Sequence, residues 1–148
     1  LLRWLQQAKI ESGRIHIQID QNMKPYLLQL KERFTRYELI YTLAFKSQFS
    51  IRLYEILKSY QWRHEVTLVL DELKVSMFAE NYKNFKDFRN RVLDVAVREI
   101  NQYSDITVNY TPITKGRKTV ALRFEIIDND VAERVEAYAA CEAALGES

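Results

Sequence analysis

The stretch that most constrains this chain is FKDFRNRVLDVAVREIN, residues 85–101. Turned at about 100° per residue, Phe85, Phe88, Val92, Leu93, Val95, Ala96 and Ile100 gather on one side, while Lys86, Asp87, Asn90, Arg91, Asp94 and Arg98 share the other. The stretch therefore reads as a helix that must lay one face on a core. Asn84 is placed to cap it, with Asp87 three residues on in the position of a capping box. Two features break the pattern. Arg89 falls within the apolar sector, so near the N-terminus that its long side chain is expected to project past the protein body. Lys86, Arg89 and Arg91 also crowd the first two turns, where the partial positive charge of the helix dipole disfavours cations. A sequence that tolerates this arrangement points to an external anion.

The flanking segments limit what that helix can pack against. In DITVNY (105–110), Ile106, Val108 and Tyr110 share a face, and in TVALRFEI (119–126) Val120, Leu122, Phe124 and Ile126 do the same, which predicts two strands of a hairpin. Their connection, TPITKGRK, sets Lys115, Arg117 and Lys118 around Gly116, a cationic tip. Upstream, SIRLYEILKSY reads as a helix with Leu53, Tyr54, Ile56, Leu57 and Tyr60 toward the core and Ser47 as its cap. A short apolar run, VTLVL (66–70), follows, and then DELKVSMF, a short helix with acids in its first turn. Helix, short strand, helix, helix, strand, basic loop, strand is the order of a winged helix-turn-helix in the α+β class.

Nearer the N-terminus, Ile15, Ile17 and Ile19 alternate with Arg14, His16 and Gln18, and Ser12-Gly13 suits a hairpin turn from an extended piece near Trp4 to Ile10. Pro25 is expected to open a short helix, PYLLQL. FTRYELIYTLAF reads as a further helix, with Thr35 as its cap and Leu39, Ile40, Leu43 and Ala44 at helical spacing. VAERVEAYAACEAAL predicts a final acidic helix.

With 148 residues, 47% of them hydrophobic, the chain has the material for a real core. It contains no run of eighteen apolar residues and no secretion signal, so a cytoplasmic location is expected. Cys141 is a lone cysteine that reads as a small helix residue, and no Cys/His cluster has zinc spacing, so neither metal nor cofactor is expected. The first residues are LLRW rather than Met, which reads as a piece of a longer protein. Residues 125–148 hold seven acids and one Arg, a sum of −6 that leaves +8 on residues 1–124. The basic part favours contact with a polyanion.

In a winged helix the second helix of the turn motif enters the major groove N-terminus first, and the wing lies along the backbone or minor groove. The expected anion is thus the phosphate chain of double-stranded DNA. Lys83, Lys86, Arg89 and Arg91 would lead, with Lys115, Gly116, Arg117 and Lys118 on the wing. Arginine pairs bidentately with guanine and asparagine with adenine, which makes Arg89, Asn90 and Arg91 the candidate base readers. The wing cations would position rather than specify. Basic residues on an exposed helical face are most often plain solvated surface. What favours DNA is the coincidence of two basic clusters in winged-helix order, with eight cations against four acids between residues 83 and 118.

FKSQFSIRLYEILKSY, NFKDFRNRVLDVAVREINQYSDITVNY and TKGRKTVALRFEI together resemble the C-terminal winged helix of the iteron-binding plasmid replication initiators, the Rep proteins. PYLLQLKERFTRYEL is similar to the segment leading into that domain, so the likeness covers about residues 15–127. It implies that residues 1–20 are the end of a first winged helix, the family's dimerisation domain, that residues 21–127 are the DNA-binding winged helix, and that the acidic helix of residues 128–148 lies outside the shared pattern. It also implies sequence-specific binding to repeated sites at a plasmid origin, duplex opening, and recruitment of the host initiator and helicase. A piece lacking most of the dimerisation domain is expected to be monomeric. Family members often carry a basic residue where this chain has Asn90, so a transferred base preference is not expected there.

Rival classes fare worse. A rolling-circle nickase needs two histidines separated by one residue, but His16-Ile17-Gln18 supplies one and His64 stands alone. Tyr54, Tyr60 and Tyr110 fall at core-facing positions, which favours packing over a recombinase nucleophile. No catalytic triad, phosphate-cradling glycine loop or HExxH motif occurs, so no catalysis is expected. A winged-helix transcriptional repressor shares the same docking physics. A protein-binding winged helix would differ in its indifference to salt.

Overall fold

Two antiparallel sheets organise the residues that the computed structural model describes, 5–11, 14–19, 21 and 36–146. Strands β1 (Leu5–Glu11) and β2 (Arg14–Ile19) form the expected N-terminal hairpin, with Glu11 opposite Arg14. The helix expected at Pro25 and the Thr35 cap lie outside the described residues.

From residue 36 the predicted order is observed. Helix α1 (Arg36–Ala44) is followed by α2 (Gln48–Ser59), whose first turn is capped by Ser47 Oγ accepting from the Phe49 N–H at 3.2 Å. Leu53, Tyr54 and Leu57 are fully buried, and Ile56 and Tyr60 pack beside them. Strand β3 (Glu65–Val69) leads directly into α3 (Leu70–Ser76). A turn then opens α4 (Phe85–Phe88), which runs through a π-helical turn at Arg89–Leu93 into α5 (Asp94–Tyr103). Strands β4 (Ile106–Lys115) and β5 (Lys118–Asp128) close the domain, with sheet order β3-β5-β4.

The core lies between this sheet and the helices. Val66, Ile106, Val108, Leu122, Phe124 and Ile126 from the sheet meet Phe45, Tyr54, Leu57, Phe88, Val92, Leu93 and Ile100. Burying side chains of this size contributes roughly 1.5–3 kcal/mol each. The helical run from Phe85 to Tyr103 is thus held by the sheet that also carries the wing.

The strands are longer than their alternation predicted. The eight-residue connection TPITKGRK shrinks to the two residues Gly116 and Arg117, with Lys115 paired to Lys118. Pro112 did not end the strand, because β4 is an edge strand and edges tolerate a missing N–H.

Helix α6 (Val131–Gly146) is not a loose appendage. Its start is capped reciprocally, Asp130 Oδ1 accepting from the Glu133 N–H and Glu133 Oε2 from the Asp130 N–H. Leu145 reaches the main core, while Ala137 and Cys141 form a second cluster with Ile40, Tyr41 and Ala44. Cys141 is fully buried and its Sγ–H donates to the Tyr103 carbonyl at 3.2 Å. Burial pushes that thiol up to about 12, which makes it an inert packing residue.

Candidate nucleic-acid interface

The leading end of the helix is built from its cap. Asn84 Oδ1 accepts from the Asp87 N–H at 2.8 Å, and Asn84 Nδ2 donates to Asp87 Oδ2 at 3.1 Å. This fixes the entry of α4 and turns Phe88 into the core, leaving Lys83 and Lys86 exposed. Lys74 of α3 supports the turn from beneath. It is buried, its Nζ lies 5.5 Å from the Phe88 ring centroid, and it donates a long 3.5 Å hydrogen bond to the Lys83 carbonyl. Nothing in the periodicity marks Lys74 for that place.

The π-helical turn decides where Arg89 and its neighbours point. The Asp94 N–H donates to the Arg89 carbonyl, an i to i+5 closure. In an α-helix, residues five apart are separated by about 140° around the axis. Closing on i+5 brings them onto one face instead. Arg89 and Asp94 both reach the wing strand: Arg89 Nε–H donates to Tyr110 Oη at 3.2 Å, and the Tyr110 hydroxyl donates to Asp94 Oδ1. The guanidinium also lies 5.2 Å from the Phe85 ring centroid and 5.9 Å from that of Tyr110. Arg89 therefore does not project past the body as its wheel position suggested. It is half-buried and held, whereas Asn90 and Arg91 are exposed. Burial, first, and the bond to Asp94 raise the Tyr110 phenol above its ordinary value, so it remains a neutral phenol.

At the wing, Gly116 has φ +67° as the first of two turn residues, the geometry of a type II′ hairpin turn, whose backbone twist matches that of the strands. The register slips between Ile113 and Thr114, leaving Val120 as an extra residue on β5. Such a bulge re-aims the strand end. Lys115, Gly116, Arg117 and Lys118 are all exposed at the tip.

Contacts along the helix show how the two clusters relate. Near the C-terminal end of α5, Asn101 brackets Val108, its Oδ1 accepting from the N–H at 2.7 Å and its Nδ2 donating to the carbonyl at 3.1 Å. Toward the N-terminal end, Asp94 and Arg89 meet Tyr110. Helix and β4 thus run in opposite senses, and β4 passes from the level of Asn101 to that of Asp94 and Arg89 before it reaches the wing tip. The acidic α6 packs against α1, β1 and the far end of α5, where Cys141 meets Tyr103.

The four acids between 83 and 118 are all engaged inside the chain: Asp87 with Asn84, Asp94 with Tyr110, Glu99 with the start of α2, and Asp105 with Lys58 at 2.8 Å. None of Lys83, Lys86, Arg91, Lys115, Arg117 and Lys118 makes an ion pair with a described residue.

A helix-turn-helix backed by a three-stranded sheet whose hairpin carries a basic tip defines a winged-helix protein. Two family models match, "Initiator Replication protein, WH1" over residues 2–58 and "Initiator Rep protein, WH2" over residues 69–126, and the chain belongs to the plasmid Rep initiator family. Relatives include a "Replication initiation protein" of Escherichia coli, 30% identical over 132 residues that make up 85% of this chain and 41% of the relative. The "PI protein" of Escherichia coli is 27% identical over 150 residues, 88% of this chain and 49% of that protein. The chain spans less than half the length of these curated relatives. A solved structure of the Pi initiator protein in complex with iteron DNA shares the fold with a TM-score of 0.54 at 22% identity, covering 86% of this chain and 59% of that one.

Proposed function

We propose that this chain binds double-stranded DNA sequence-specifically at the repeated sites, iterons, of a plasmid origin, as part of an initiator of replication. The helix from Phe85 enters the major groove with Arg89, Asn90 and Arg91 at the base edges. Lys83 and Lys86 contact phosphates, and Lys115 to Lys118 lie on the backbone or minor groove. The chain acts by binding rather than catalysis, in the bacterial cytoplasm, and the whole initiator hands the opened origin to the host initiator and helicase. A piece of this length is monomeric, and the complete protein dimerises through its first domain.

The observation that carries the reading is that two exposed cation clusters, making no ion pair with a described residue, sit on a helix and a strand that run in opposite senses, with the acidic helix packed at the trailing end of α5. The family supplies its biological setting. The test is selection from random duplexes with the purified chain, followed by titration of the selected duplex at two salt concentrations. A recurrent motif is expected, with affinity falling roughly 10³- to 10⁵-fold between 50 and 200 mM salt if six or more phosphates are contacted. Binding that selects no motif and ignores salt would instead mark a protein-binding winged helix.

A further inference from the structure

Among the three reading-end residues, Arg89 is half-buried while Asn90 and Arg91 are exposed. Its Nε–H is committed to Tyr110 Oη at 3.2 Å. That leaves its terminal amino groups, the end-on fork that matches the O6 and N7 acceptors of guanine, for a ligand. The Tyr110 hydroxyl has one proton and gives it to Asp94, so its lone pairs are the part that faces Arg89. The chain of donors therefore runs in one direction, from arginine through phenol to carboxylate.

We infer that Tyr110 and Asp94 are positioning residues for base reading: the wing-strand phenol, oriented by the Asp94 carboxylate, holds the Arg89 guanidinium for a single base pair. The inference rests on the proposed placement of the helix in the major groove. The π-helical turn makes the arrangement possible, since it sets Asp94 and Arg89 within reach of one hydroxyl. An arginine ordered before binding loses less freedom when it meets its base. Ordering one long side chain on binding weakens recognition by roughly two- to tenfold. Specificity in this domain thus depends on a strand residue that belongs to the wing.

The test uses the complete 148-residue chain as Arg89→Ala, Tyr110→Phe, Asp94→Asn and the double variant Arg89→Ala/Tyr110→Phe. The probes are a duplex selected by the wild-type chain, that duplex altered at each base pair, and a random duplex. Arg89→Ala is expected to lower discrimination at one base pair roughly 5- to 100-fold. Tyr110→Phe keeps the ring beside Phe124 but loses the hydroxyl. It should lower discrimination at that same base pair two- to tenfold, with random-duplex binding and the salt slope unchanged, and the double variant should be no worse than Arg89→Ala. Asp94→Asn should fall between wild type and Tyr110→Phe. A merely structural role would weaken all duplexes together and lower the unfolding temperature. In the free protein, exchange of the Arg89 Nε–H with solvent should be slowed in wild type and fast in Tyr110→Phe. Equal exchange in both, or wild-type discrimination in Tyr110→Phe while Arg89→Ala loses it, overturns the inference and leaves the groove reading standing. An Arg89→Ala chain that discriminates like wild type at every base pair overturns the groove reading itself, with the exchange measurement still deciding the clamp.

Discussion

Glu99 and Arg91 lie on one helical run, and the fold treats them in opposite ways. Glu99 is buried, its carboxylate accepting from the Lys46 N–H at 2.8 Å, the Ser47 N–H at 3.0 Å and the Ser50 hydroxyl at 2.7 Å. These donors surround the start of α2, where partial positive charge favours an anion. Arg91 is exposed and makes no ion pair with a described residue. The trailing half of the helix therefore uses the Glu99 charge to join two helices, and the leading half leaves Arg91 exposed with no ion pair to a described residue. A net-charge count mixes the two, because it subtracts acids that are already engaged in holding the fold.

If that division is right, the two residues should fail differently. Glu99→Ala leaves two backbone N–H groups and a hydroxyl unsatisfied in a buried site, and bonds to a charged acceptor are worth about 1.5–3 kcal/mol each. Stability should fall by about 3 kcal/mol or more in urea unfolding, while the DNA selected at temperatures where the variant is folded stays the same. A loss below about 1 kcal/mol would show that the join between α2 and α5 does not depend on this carboxylate. Arg91→Ala should reverse the pattern. Unfolding should change by less than about 0.5 kcal/mol, as for a surface substitution. Binding of the selected duplex should weaken by roughly 1–3 kcal/mol, with preference relaxed at one base pair.

The sequence made the first half of this comparison harder to see than the second. Periodicity located every element from α1 to β5, since amphipathic helices and alternating strands are local patterns, and Ser47 and Asn84 were legible as caps because a cap acts on its own helix. Lys86, Asn90 and Arg91 were placed on an exposed face by the same wheel, and Lys83 at the leading end by its position just before the cap. Glu99 was invisible as a joint because its donors lie 49 to 53 residues away. The π-helical turn was equally hidden: a wheel drawn at constant pitch separates Arg89 from Asp94, and only packing against Tyr110 shows why the pitch changes. One signal was present. An arginine inside an apolar sector needs a partner there, and an aromatic residue with a hydroxyl on the neighbouring strand is a natural one. The length of the wing was misjudged because Pro112 reads as a strand end unless the edge position of β4 is known.

The wing permits a finer division, between residues that shape it and residues that carry its charge. Gly116 shapes it. A side chain there would meet open space, so the cost of Gly116→Ala comes only from the left-handed backbone at φ +67°. It should be about 1 kcal/mol. Because the turn sits at an exposed tip, the loss should appear as local fraying, measurable as faster amide exchange from Thr114 to Thr119 with little change in the main unfolding transition. Lys118→Ala should leave that exchange untouched, since Lys118 is exposed and joins no ion pair with a described residue. On the proposed reading it removes one phosphate contact instead, so the slope of log affinity against log salt should become shallower by about one unit, equally for selected and random duplexes. A Lys118 variant that lost affinity only for the selected duplex would make the wing a reader of sequence, and the distinction between a specifying helix and a positioning wing would fail at its most exposed point.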